Sequence, residues 1–571
     1  MRLRNVLLLL SSALLLAASC VKVNTDLGQN FAPLEHRYDV FCEDFPLNNI
    51  VVERMDSSFA FSSNRIVVGA VRDERYGLCT KSAAFSLTPL VKELNFGKET
   101  QFTGMMLSLA CDSLSLPYGG DPKILQKMRI YALDEATDIN DPTEFLYSCD
   151  VKKLSTHFAG AEPVTDYVPV FGGEDTLNFH FKPAFYNALG AKLLARANNG
   201  VYTLDNPDTL SNSTWLKDFP GFYLTCDDPE GNGGRFNLLG LKLGLDTQTY
   251  TITSNFASLH FKAKYKGSSN FTDTSFVFLI GGISIPQSSE SLPTQKAFNG
   301  SEHEALPILD GMTLNGDCYA AGEKIYVEGG SGLRPVFSAK EIRERLLGDF
   351  AAKKVTDASK VIIDRATLIL RYPTPTDFGQ IEDYPRYLAP AHLSRYIIRD
   401  RVYGQTKTLM YTDFPPVTDA SVTDEDQGGI SRSLQCYSPD ISFHVQHLIK
   451  LQNPSDQDLE RQDILFFIKH AETIVTQTVS NSNQDYYNQM LYYSYLNSLY
   501  GGGTGSYNNY YNMMYYYNMT ASSSSGTTTS VQVMQDEGRY YNAVFCGPDD
   551  ASGKGPVLRV VYSVPLDAIA K

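Results

Sequence analysis

The sequence predicts a mainly β protein: tandem β-sandwich or jelly-roll-like domains with a few helices and one long Tyr/Asn/Gly-rich insertion. Three observations carry this expectation. β-branched and aromatic runs recur along the chain between Gly, Pro, Asn and Asp clusters, the pattern of strands joined by turns. Helical signals are few and widely separated, unlike the strand–helix alternation of a parallel sheet. Between about residues 481 and 529 the composition shifts to Tyr, Asn, Ser, Gly and Met with almost no charge, and strand character returns afterwards.

In chain order, residues 1–19 read as an address and not as fold. Arg2 and Arg4 form a positive start, Val6 to Leu16 a short apolar stretch, and Ala17-Ala18-Ser19-Cys20 a small-residue cleavage site ending in a thiol. The apolar stretch is interrupted by Ser11 and Ser12 and falls short of the roughly 20 residues of a membrane-spanning helix. Cys20 is therefore the expected lipidation site. The mature chain is held by N-terminal acyl chains, with outer-membrane sorting and the periplasmic or cell-surface face left open. An ordinary secretory signal cut near Ala18 is the alternative.

Residues 20–45 read as a linker, 46–290 as a first β-rich region and 291–571 as a second that carries the insertion. The strand runs are Arg65 to Val71, Met105 to Leu116, Lys127 to Leu133, Tyr250 to Tyr265, Ser275 to Ile285, Val361 to Tyr372 and Val557 to Val564. Helices are expected from Pro183 to Ala197, with proline in the first turn, and from Ser338 to Leu347, where Ser338 and Glu341 have capping-box spacing. An internal echo relates the halves. Tyr76-Gly77-Leu78 leads to Asp112-Ser113-Leu114 and Tyr118, as Ser331-Gly332-Leu333 leads to Asp364-Arg365-Ala366 and Tyr372. The tyrosine-rich insertion lacks the aliphatic side chains to offset its own ordering, so a long mobile insertion is expected, whose rings either stack on sugars, pack onto a protein surface or belong to a loop with no dedicated role.

Composition excludes one partner class. Removing Arg2 and Arg4 leaves 47 basic residues against 64 acidic ones, a formal charge of −17, so nucleic acid is not an expected partner. Lipidation of Cys20 leaves eight scattered cysteines without a C-x-x-C pair, which indicates neither zinc nor redox chemistry and leaves disulfide content open.

Motifs for chemistry are sparse. Gly329-Gly330-Ser331-Gly332 lacks the lysine of a phosphate loop and the spacing of a nucleophile elbow, so it reads as a turn. His303-Glu304 lacks the second histidine of a zinc-protease helix, and His444 with His447 has no carboxylate at suggestive spacing. Asp228-Pro229-Glu230-Gly231-Asn232-Gly233 echoes a calcium loop but has Leu239 where the twelfth-position acid belongs, so it reads as a hairpin turn between Phe222 to Thr225 and Phe236 to Leu243. Asp112-Ser113-Leu114, Asp175-Thr176-Leu177 and Asp208-Thr209-Leu210 are similar to a short O-glycosylation acceptor motif. Catalytic, cofactor and metal residues are none.

A set of landmarks runs through the chain in order. They are Val68-Gly69, Asp73 and Tyr76-Gly77; Asp112-Ser113-Leu114 into Tyr118; Met128-Arg129-Ile130-Tyr131; Tyr326-Val327-Glu328-Gly329-Gly330-Ser331-Gly332; Arg365-Ala366-Thr367-Leu368; and Pro556-Val557-Leu558-Arg559-Val560-Val561-Tyr562. On these the chain resembles the DUF4270 family of Bacteroidota lipoproteins, with Glu74 standing where a proline is expected. The resemblance implies a Gram-negative envelope lipoprotein and supplies no catalytic residues. The expected function is a non-catalytic outer-membrane lipoprotein, a structural or docking component of an envelope protein complex. Cell-surface carbohydrate binding is the alternative and glycan hydrolysis the third reading. Trp215 is the only tryptophan, which favours protein contact over glycan contact.

Overall fold

The computed structural model describes residue 33 and residues 36–570, apart from 55–59, 61–64, 90–92, 112–116, 119–123, 135–150, 159–160, 171–175, 204–218, 220, 242, 247–250, 266–267, 281–296, 305–307, 309–313, 316–317, 331, 377–380, 382–383, 393–395, 404–405, 413–425, 427, 479–525 and 536–539. Strand takes about half of it and helix under a fifth, so the mainly β expectation holds. Every strand pairing among the described residues is antiparallel, in several sheets. Cys20, Trp215, Asp112-Ser113-Leu114 and Asp208-Thr209-Leu210 lie outside the described residues, as does nearly all of the tyrosine-rich segment.

Two sheets close the first core. One carries Arg65–Asp73, Gly77–Phe85, Gln126–Ala132, Phe222–Cys226 and Gly233–Gly240; the other carries Lys98–Ala110, Thr176–His180, Phe256–Lys264 and Thr272–Ile280. Met105, Leu107 and Leu109 of the second sheet pack with Val68, Ala70, Ile130 and Leu224 of the first. Period-two alternation places them there, since every second side chain of a strand faces the same way. Helix Pro183–Arg196 adds Leu189 and Leu193 to this core.

Ile66 to Val71 is buried at every position, so both faces of its sheet are covered. The second face carries Val67, Val71, Cys79, Phe236 and Leu238, and Tyr540 from the far end of the chain closes over them.

The second core lies between the sheet of Tyr38–Pro46, Val557–Pro565, Ile362–Arg371 and Cys436–Tyr437 and the sheet of Ile50–Arg54, Leu333–Phe337, Ile464–Thr478 and Tyr387–His392. Leu558, Val560, Tyr562 and Val564 point inward with Ala366, Leu368 and Leu370. They meet Ile342, Leu346 and Phe350 of helix Ala339–Ala352 and Val445 and Leu448 of helix Ser442–Lys450. Lys353, just past the first of these helices, ties it to the sheet. Its Nζ donates to Glu43 Oε1 (2.5 Å), Asp349 Oδ2 (3.0 Å) and the Tyr562 hydroxyl (3.0 Å) and lies over the Phe41 ring.

The two bodies interleave along the chain. Tyr38–Pro46 pairs residue for residue with Val557–Pro565, and Ile50–Arg54 with Leu333–Phe337, so the first strands serve the second core. Ala297–His303 pairs instead with Gly77–Phe85 of the first.

Several elements differ from expectation. The strand expected from Met105 begins at Lys98, because its polar start pairs with Phe256–Lys264 while facing water. The helix expected to stop at Leu347 runs to Ala352, past Gly348, because Phe350 continues the buried stripe of Ile342 and Leu346. Helix Ser442–Lys450 was not expected. The stretch Asp228–Gly233 is not a hairpin turn. Phe222–Cys226 pairs with Gln126–Ala132 and Gly77–Phe85, whereas Gly233–Gly240 pairs with Arg65–Asp73. The connection rides on the Asp73–Gly77 turn, where Asn232 Nδ2 donates to Glu74 Oε1 (2.9 Å) and Arg72 Nε to the Pro229 carbonyl (3.2 Å).

Candidate functional site

Three places gather side chains with chemical capacity. The first is the closed junction of the two bodies. Glycine at 330 is required there: its φ is +67°, and a Cβ would stand 2.8 Å from the Phe236 ring and 3.3 Å from Cys79 Sγ. Tyr76 Oη donates to the Val327 carbonyl (3.4 Å), and Ser301 Oγ donates to the Gly330 carbonyl (3.3 Å).

Behind this turn sit Glu328, Arg334 and His303, all buried. Tyr540 Oη donates to Glu328 Oε1, and Arg334 Nη1 donates to the Glu328 and Leu333 carbonyls. His303 Nε2 lies 3.6 Å from Glu328 Oε1, and Arg54 Nη2 donates to the His303 carbonyl (2.7 Å). Burial pushes the Glu328 carboxyl up to about 8, against the opposing pull of Tyr540 and Arg334. Burial, reinforced by Lys81, Arg54 and Arg334, holds His303 well below 6.5. Arg334 is itself lowered to about 10 by burial. His303 Nε2 and Arg334 Nε have no hydrogen-bond partner among the described residues. This cluster helps fix how the bodies meet, because removing any member leaves buried polar groups without their partners.

The second place is a cleft of about 420 Å³ on the outer face of the Lys98–Ala110 sheet. Gly104 forms its floor, with open space where a Cβ would stand, and His180, His260, Met106 and Tyr186 form its walls. The register brings this about: His260 pairs with Gly104, and His180 with Met106. His260 Nε2 shares a hydrogen bond with Ser258 Oγ (2.8 Å), and burial lowers its pKa. Ser258 is 3% exposed, so its hydroxyl supports the imidazole from the sheet floor.

The third place is the outer face of the sheet that joins the first and last strands. A register shift between Ile363 and Arg365 lets Ile362 and Arg365 both face outward. Cross-strand rows then follow: Val40, Ser563 and Ile362; Cys42, Val561 and Arg365; Asp44, Arg559 and Thr367; Pro46, Val557 and Ile369; Arg371 and Cys436. Val40 is 65% exposed, Ile362 45% and Leu434, beside the last row, 69%. Arg365, Arg371, Arg559, Thr367, Ile369 and Leu434 are among the residues lining a groove of about 350 Å³. Arg559 grips Asp44 with two bonds (2.7 and 2.8 Å), which hold that carboxyl below its ordinary range. Arg365 Nη2 donates to Asp426 Oδ1 (2.5 Å). Arg371 has a single contact at the limit of hydrogen bonding, Nη1 to the Gly555 carbonyl (3.5 Å).

The residues weighed in the sequence fall as follows. His303 joins the buried junction. His444 is buried on its helix with Nε2 bonded to the Gln462 carbonyl (2.9 Å), and His447 lies in the same helix's last turn. Thr176 and Leu177 lie within a paired strand, and Leu177 is buried. Cys42, Cys79, Cys111, Cys226, Cys436 and Cys546 are free thiols. Among the described residues no group of three or more His, Cys, Asp or Glu could hold a metal ion, and no helix is long and apolar enough to cross a membrane. Sequence reasoning passed over Arg371, Leu434 and the exposed Val40. Only the landmarks Arg365–Leu368 and Pro556–Tyr562, which prove to be neighbours, carried a signal toward this face.

No family model, curated protein or solved structure matches the chain.

Proposed function

We propose that the protein is a lipid-anchored, non-catalytic docking component of an outer-membrane protein complex, held by acyl chains on Cys20, in keeping with its DUF4270-like landmarks. The observation that supports this most is the exposed outer sheet face, where Val40, Ile362 and Leu434 stand in solvent beside three arginines. Exposed apolar side chains at the two ends of one sheet face, with arginines between them, suit association with another protein. The nine-residue strand Tyr38–Pro46 lies at the edge of this sheet, offering unpaired backbone groups to a partner.

The test is affinity capture from solubilised envelopes. The wild type should recover a discrete protein partner, and a Val40→Lys, Ile362→Lys double variant should lose it while remaining folded. Retention of the partner by that variant contradicts the reading.

A second reading, carbohydrate capture, is favoured by one observation: the open floor of Gly104 between two imidazoles and the Tyr186 ring. Retention on immobilised envelope polysaccharide that vanishes in Tyr186→Ala supports it, and unchanged retention counts against it.

A further inference from the structure

We infer that the groove between Arg365 and Arg371 binds an extended, acidic segment of a protein partner, and that Arg371 takes a carboxylate of that segment. This inference rests on the docking reading and gives the partner its chemistry.

The sign of the charge is the first argument. The whole chain carries a formal charge of −15, yet the side chains lining this groove include three guanidiniums and no carboxylate. Guanidinium forks match carboxylates with two parallel bonds. Arg559 shows the pattern on Asp44 with two bonds, and Arg365 meets the carboxylate of Asp426 with one. Among the described residues Arg371 meets no carboxylate, and its long contact with the Gly555 carbonyl uses one of its five donors. Its field already contributes to lowering the Asp44 carboxyl, yet the two make no ion pair.

Shape and lining narrow the ligand. Arg365 and Arg371 lie six residues apart on one strand, which gives the groove a length of roughly 20 Å. That suits about six residues of extended polypeptide. Its floor holds Ile369, and Leu434 stands at its rim, 69% exposed. An extended peptide alternates its side chains, so one carrying acids on one face and aliphatic residues on the other meets both the arginines and this apolar surface. No lining residue is aromatic, so a sugar ring has nothing to stack on. A phosphate headgroup satisfies the guanidiniums but leaves Ile369 and Leu434 unused.

The experiment uses the detergent-solubilised full chain and a probe peptide carrying fluorescein on its N-terminus, fluoresceinyl-Gly-Val-Asp-Leu-Asp-Val-amide, with an Asn-for-Asp counterpart. Anisotropy should show saturable binding of the acidic probe, weakened by added salt, and about tenfold weaker binding of the neutral one. Arg371→Gln should weaken the acidic probe about tenfold, and Leu434→Glu, a change at an exposed position that preserves the fold, by a similar factor. Equal affinity for the two probes overturns the inference, as does an unchanged affinity in both variants. Phosphatidylglycerol vesicles that bind in an Arg371-dependent way, with no peptide binding, overturn it in favour of a lipid site. The two proposals fail separately. Envelope partners captured equally by wild type and Arg371→Gln sink the groove assignment and leave docking standing. Probe binding without any captured partner supports the groove chemistry and sinks docking.

Discussion

Replacing Glu328 by glutamine should flatten the protein's stability against pH on the alkaline side of neutrality. The Glu328 carboxyl is pushed up to about 8 in the fold against an ordinary 4.5, so folding takes up a proton between those values. Its contribution is therefore full below pH 4.5 and is lost as the pH rises through 8. His303 runs the other way: held well below 6.5, its contribution is full above 6.5 and is lost as the pH falls. The other titratable groups acting on Glu328 are Tyr540, Arg334 and Asp73, and Lys81, Arg54 and Arg334 act on His303; Arg334 is lowered only to about 10. Asp463, raised to about 6, acts below this window. Between pH 6.5 and about 9 the raised Glu328 carboxyl should cost about 2 kcal/mol of unfolding free energy. Glutamine mimics the protonated acid in both states, so Glu328→Gln should match the wild type only at about pH 4.5 and below, and its advantage should grow by about 1.4 kcal/mol per pH unit up to about pH 8. Urea unfolding of the purified protein, followed by far-UV circular dichroism at several pH values, reads this directly. Parallel pH profiles for wild type and variant would refute the buried-carboxyl reasoning.

Further outcomes follow from the same geometry. Arg334→Met should cost about 1–3 kcal/mol by leaving the buried Glu328 and Leu333 carbonyls without their donor, measured by the same unfolding assay. Gly330→Ala should cost a comparable amount, about 3 kcal/mol, since it adds a Cβ at positive φ against Phe236 and Cys79. Lys353→Ala should cost about 1–3 kcal/mol, because it removes the donor shared by Glu43, Asp349 and Tyr562; a thermal midpoint equal to the wild type's would contradict the tie. Cys20→Ala should abolish acyl labelling and release the protein from the membrane fraction, and continued membrane labelling would end the lipoprotein reading.

Local signals in the sequence were enough for elements that local physics decides. The strands at Arg65–Asp73, Ile362–Arg371 and Val557–Pro565 carry β-branched runs long enough to read directly, and Ser338 caps its helix by accepting from the Glu341 amide. Helix Ser442–Lys450 escaped because its first turn is held by Asp440, whose Oδ1 accepts from the Ser442 amide and hydroxyl, an arrangement that also reads as a turn. The supposed hairpin at Asp228–Gly233 failed for a non-local reason: strand partners were set by the Arg65–Phe85 hairpin, more than a hundred residues away. The buried junction was illegible for the same cause. Arg54, Lys81, His303, Glu328 and Arg334 show no spacing in the chain that predicts their meeting. The arginine groove was half legible, since Arg365 and Arg559 lay within noted landmarks, whereas Arg371 and Leu434 acquire meaning only once Cys436 pairs beside them.

The claim that the outer sheet face docks a partner is tested most directly by site-specific photo-crosslinking in living cells. A photoreactive residue at Val40 or at Leu434 should each give one discrete cross-linked band containing the same envelope protein, while one at Lys262, on the face that bears the His180 and His260 cleft, should give none. Bands from Lys262 alone, or from no position, would contradict the account.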